Sequence, residues 1–129
     1  MIEIYDRRGF ILLLSYTGTS LRGADLSGVE FLDANLVELD LRDVNLSGAN
    51  LRDADLRLAN LQGANLERAD LNAANFGGAD LRGARLRGAK WLGAKLAGAD
   101  LSGAHIDEAG IKMADLRDVD LSGVLFGDG

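Results

Sequence analysis

The chain has 129 residues, no cysteine, no proline, 26% charged residues and a formal charge of −6. That length makes one domain, and the missing thiols exclude disulfides and thiolate metal sites. The acidic balance argues against direct nucleic-acid binding and against anionic membranes. The absence of proline suits a backbone ladder that needs every N–H.

At the start, Ile2 to Tyr5 and Phe10 to Ser15 are short apolar runs around Asp6-Arg7-Arg8-Gly9. A four-residue polar loop with a glycine between two such runs predicts a β-hairpin. Phe10 to Leu14 is the only dense apolar run and is far too short to span a bilayer. Arg7-Arg8 ahead of it resembles a twin-arginine signal, but no small-residue cleavage site follows, so the segment reads as structure. A cytoplasmic location is expected, with no membrane partner. Tyr16 to Thr19 forms the lead-in.

From Leu21 to Phe126 an apolar residue falls on every fifth position: Leu21, Leu26, Phe31, Leu36, Leu41, and on through Trp91, Ile106, Ile111 and Leu121. Two places before each sits a small residue, alanine in every slot from Ala49 to Ala114. A helix advances about 100° per residue, so five residues would scatter these side chains around its cylinder. A straight strand alternates with period 2 and would flip each successive leucine to the other face. Only a chain that bends once per pentad keeps them all inside.

The other three positions of each pentad point outward and hold nearly all the charge. Asp or Asn commonly precedes the central residue, as at Asp25, Asn35, Asp40, Asn45 and Asn50. Two places after the centre comes Gly23, Gly28, Gly48, Gly63 or Gly83, but also Asp33, Asp43, Asp53, Leu58 and Arg68. With so many non-glycine residues there, a mixture of turn types is expected at the corners.

Ala49-Asn50-Leu51-Arg52-Asp53, Ala54-Asp55-Leu56-Arg57-Leu58 and Ala64-Asn65-Leu66-Glu67-Arg68 resemble the repeats of the pentapeptide-repeat family. The resemblance implies an all-β fold, a right-handed quadrilateral parallel β-helix with four pentads per coil. Residues 1–19 are then an N-terminal β-hairpin cap with its lead-in, since solenoid ends need cover. Residues 20–127 form the solenoid. Leu21 to Phe126 in steps of five gives 22 centres, hence about five and a half coils, or roughly 26 Å of rod at the strand spacing of about 4.8 Å.

Larger residues replace the small inner one at Val29, Leu39 and Val44, and again at Val119 and Val124, where the ends are filled differently. No capping helix follows Phe126, unlike relatives that end in a dimerising helix. The C-terminal end is therefore expected either to fold over itself through Leu125 and Phe126 or to self-associate with a second copy.

Four pentads per coil place Asp40, Asn60, Asp80, Asp100 and Asp120 in register along one side. This is either a solvated polar row or a ladder of like charge that attracts cations, with Arg22, Arg42 and Arg82 nearby for partial neutralisation. Charge patterning alone favours the solvated row. His105, with Asp107 and Glu108, makes no closed ligand set, so neither a metal nor a cofactor is expected. The serines occupy repetitive outward slots and no nucleophile–base pair assembles; the expectation is not an enzyme. Trp91 at a central position reads as an accommodated core residue, or as a distortion used for binding. Leu32, Val37, Leu58, Leu92 and Met113 are outward apolar residues on the two adjoining sides centred on Phe31 and Leu36.

Some pentapeptide-repeat proteins are DNA mimics that occupy the DNA groove of gyrase, and the resemblance brings that function into view. Duplex DNA carries a charge every 1.7 Å or so, hence about 15 along such a rod, against −6 here. The charge is also banded. Residues 20–79 hold ten acids and five bases, and residues 100–129 seven acids and two bases. Between them Arg82, Arg85, Arg87, Lys90 and Lys95 face Asp80 alone, a basic belt that interrupts any phosphate-like track. The expected function is a rigid, non-catalytic scaffold for an unknown protein partner, with binding of a type II topoisomerase such as gyrase as the alternative. The belt, with Trp91, Asp80, Asp100 and Asp120, is the expected interaction surface. Pairing of the belt with an acidic coil of another copy, weakened by salt, is one form it can take.

Overall fold

A computed structural model describes residues 1–127. The pentads wind into a four-sided β-helix in which each repeat bridges the one 20 residues on, in parallel: Asp25 to Asn45, Asn45 to Asn65, Asn65 to Arg85 and Arg85 to His105 run up one side. The central residues from Leu21 to Ile111 are buried, most of them completely, and the alanines from Ala34 to Ala84 fill the space between them. The Leu column is the core.

A single pentad shows why the shape holds. In Asn60–Ala64, Leu61 N–H donates up to Asp80 O and Gly63 N–H to Arg82 O, while Asn60 N–H donates down to Leu39 O. Ala64 N–H closes the corner onto Leu61 O at 2.9 Å. Gln62 N–H, the fifth donor, is taken by the side-chain Oδ1 of Asn60 at 3.1 Å. All five donors are satisfied without water, which a buried ladder requires.

From Gly23 to Gly103 the corners are uniform, and the expected mixture appears only in the last coil, where the turns Ile111–Ala114 and Leu121–Val124 close without positive φ at Met113 or Gly123. Every third turn residue from Gly23 to Gly103 has positive φ, including Asp33, Glu38, Asp43, Asp53, Leu58, Arg68 and Ala73 at 58–62°. With the i to i+3 hydrogen bond and positive φ only at the third residue, these are type II turns. The left-handed region costs a non-glycine residue about 1–2 kcal/mol. It is imposed here because the same residue's N–H must reach the coil above, as Leu58 N–H reaches Gly77 O.

At the N-terminus β1 (Ile2–Tyr5) pairs antiparallel with β2 (Leu12–Tyr16). The second strand starts later than the apolar run suggested, and Phe10 and Ile11 lie exposed in the loop. There Asp6 Oδ1 accepts from the N–H groups of Phe10 and Ile11, at 2.7 and 3.0 Å. Asp6 also bridges antiparallel to Ala34, and Ile4 is buried over the first coil.

The array is interrupted once. After β3 (His105–Ile106), a one-turn helix α1 (Glu108–Ile111) replaces a corner, and Ala109, an inner residue by position, is exposed. Ile111 N–H closes the helical turn onto Asp107 O at 3.1 Å, while the next corner keeps its own bond, Ala114 N–H to Ile111 O at 3.0 Å. Beyond it the coil loosens. Leu116, Val119 and Leu121 are half-buried, and no bridge joins Asp100 to Asp120 among the described residues. Leu125 and Phe126 do not fold over the end. They form β4 (Leu125–Phe126), parallel to β3, and are 49% and 41% exposed.

Candidate interaction surface

The row expected to be solvated has a structural task. At each corner the Asp or Asn before the central residue turns back and accepts the N–H two residues on: Asp25 from Ser27, Asn45 from Ser47, Asn65 from Glu67, Asp100 from Ser102, Asp120 from Ser122. This is an Asx-turn. The signal lay in the sequence as the regular Asp/Asn slot, but its meaning needed the corner geometry.

Where arginine follows at that second position, the pair closes as a fork. Arg42 holds Asp40 through contacts of 2.8 and 2.7 Å, and Arg82 holds Asp80 at 2.9 and 2.7 Å. The Arg42 guanidinium keeps the Asp40 carboxyl down at about 2, and Arg117 does the same for Asp115. Asp80 is lowered by Arg82, and Asp55 by Arg57. Asp100 is lowered chiefly by the Ser102 N–H, and Asp120 by the Ser122 hydroxyl. Arg22 reaches Asp43 at 3.6 Å and adds only the smallest of the pulls that lower Asp40. The like-charge ladder is thus largely neutralised or clamped.

The basic belt divides into two halves. Arg85, Lys90 and Lys95 occupy three successive Asx slots, where they cannot accept a hydrogen bond. The Leu92 corner borrows its acceptor from Asn72 in the coil below, at 2.9 Å. Arg82 is held by Asp80 and lies 3.9 Å from Asp100, and Arg85 pairs with Glu67 at 3.0 Å. Arg87 is half-buried beside Gly127. Lys90 and Lys95 are exposed and make no ion pair among the described residues.

Trp91 is 2% exposed and tilts against Phe76, ring centroids 6.0 Å apart. It is a core residue and presents nothing to a partner. Leu32, Leu58, Leu92 and Met113 are all more than half exposed, whereas Val37 is half-buried. His105 is half-buried in β3, and no group of metal-ligating side chains converges among the described residues. No described helix is long and apolar enough to cross a membrane.

A rod with an aliphatic core, Asx-clamped corners and a 20-residue parallel register is a pentad solenoid. The pentapeptide-repeats family model matches in eight copies, over residues 17–48, 49–88 and 93–123, and the chain belongs to the pentapeptide-repeat family. Among solved structures it is similar to alr5209, a pentapeptide repeat protein from Nostoc PCC 7120: 39% identity over 80% of this chain and 84% of that one, TM-score 0.72. It is also similar to HetL, a pentapeptide repeat protein involved in heterocyst differentiation regulation from the same cyanobacterium. There the identity is 35% over 85% of this chain and 54% of that one, TM-score 0.39. QnrB1, a plasmid-mediated fluoroquinolone resistance protein, matches at 17% identity over 81% of this chain and 80% of that one, TM-score 0.48. No curated protein matches the sequence.

Proposed function

We propose that this protein is a rigid, non-catalytic scaffold that presents a patterned surface to a protein partner. The observation that carries the reading is the closed accounting inside the rod. In pentads such as Asn60–Ala64 every N–H is used within the solenoid, and the core is filled by leucine and alanine. Reactions are usually sheltered in concave apolar pockets, and the interior of this rod is occupied by its own leucines and alanines. What varies along its length is the outer surface, and the variation is concentrated in charge and in exposed leucines.

Mimicry of DNA toward gyrase is the weaker reading. The paired carboxylates Asp40, Asp55, Asp80 and Asp115 are each held by an arginine of their own corner, so they offer little free negative charge. The belt breaks the acidic track between the two ends. A supercoiling assay with gyrase, with and without a quinolone, separates the two readings. Protection from the drug would establish mimicry and remove the scaffold reading; no effect at excess protein is the expected result.

A further inference from the structure

We infer that the free half of the basic belt is a docking surface for the C-terminal end of a second copy of this chain. The proposal rests on the scaffold reading and names one partner for it. Residues 71–79 and 91–99 carry a single charge between them, Lys95, with Lys90 at the border. On these two adjoining sides the outward positions hold Gly77, Gly78, Gly93, Ala97 and Gly98, so the surface is low and smooth. Leu58, Leu92 and Met113 stand out from it, 56–59% exposed. Lys90 and Lys95 rim it; neither forms an ion pair among the described residues, although Lys95 lies beside Asp115 of the next coil and helps to lower its carboxyl.

The complement lies on the same chain. At the C-terminal end Leu125 and Phe126 are exposed, and Leu116, Val119 and Leu121 are only half-buried. Asp118 and Asp120 rim that end and form no ion pair among the described residues, whereas Asp115 is held by Arg117 and Glu108 lies near Lys112. An apolar surface rimmed by lysines and an apolar end rimmed by carboxylates that no arginine or lysine holds among the described residues are matched in both polarity and sign. A two-fold pairing makes the contact twice, each copy giving its end to the other's lysine surface, and it closes the assembly as a dimer.

Sedimentation equilibrium tests this on the full chain. Lys90→Asp with Lys95→Asp reverses the lysine rim and is compatible with the fold, because it installs the residue that already stands in this slot at Asp40, Asp80 and Asp100. Asp118→Lys reverses the acidic rim at a corner position where Arg68 already shows that a long basic side chain is tolerated. The expected result is a dimer that weakens with salt and weakens about tenfold or more in each variant. An equimolar mixture of the two variants should recover the dimer, because every contact then again joins opposite charges. A wild-type chain that stays monomeric near 1 mM overturns the proposal, as does a dimer unaffected by the lysine reversal. A monomer would leave binding to some other protein untouched, so this failure is distinguishable from failure of the scaffold reading.

Discussion

Asn60 Oδ1 lies 3.1 Å from the backbone N–H of Gln62, two residues on, and so closes the one donor that the coil-to-coil ladder cannot reach. The same contact recurs at corner after corner. Asn60→Ala should therefore destabilise the protein by about 1 kcal/mol, the usual cost of losing a side-chain cap on a backbone N–H. Chemical denaturation measures it, and an unchanged midpoint would show that the clamp is decorative.

Lys95→Asn is the converse. The lysine sits in an Asx slot but cannot accept the Ala97 N–H. An asparagine there should stabilise the rod by roughly 0.5–1 kcal/mol, read as a raised denaturation midpoint.

Gly48 has φ +66° and an added Cβ would meet nothing within 4 Å. Gly48→Ala thus isolates the backbone term and should cost about 1–2 kcal/mol with no change in packing. A neutral result would mean that the corners are free to change turn type, against the uniform geometry seen.

Acid should unfold the rod in a defined window. Asp40 and Asp115 are held near about 2, below their ordinary value of 3.8. A carboxyl depressed by folding contributes fully above its unfolded pKa and loses that contribution as pH falls through the folded one. The melting temperature should stay level down to about pH 5 and fall between about pH 4 and 2. Arg42→Ala should return the Asp40 carboxyl toward its ordinary range, followed by carboxyl-carbon NMR titration.

Stability should grade along the axis. Leu61 is fully buried, so Leu61→Ala should cost about 3 kcal/mol, while Leu121→Ala, at a half-buried site, should cost about a third of that. Amide exchange should report the same gradient, with the coil after α1 opening before the middle of the rod.

The pentad period by itself determined that the chain bends once per repeat, because no straight helix or strand keeps every fifth leucine inside. It thereby placed Leu61, Ala64 and Trp91 in the core. The family resemblance supplied four-sidedness and hand. Tertiary structure decided the rest, since a corner's conformation depends on the coil above it. Leu58 and Asp53 take left-handed backbone because their N–H groups must reach Gly77 and Asn72. The belt is one run of basic residues in the sequence, yet only the folded structure shows Arg82 held by Asp80 of its own corner, Arg85 by Glu67 of the coil below, and Lys90 and Lys95 without an ion pair among the described residues. The helical turn Glu108–Ile111 was likewise decided by the fold, because the five-residue spacing runs unbroken through Ile106 and Ile111 and does not mark it.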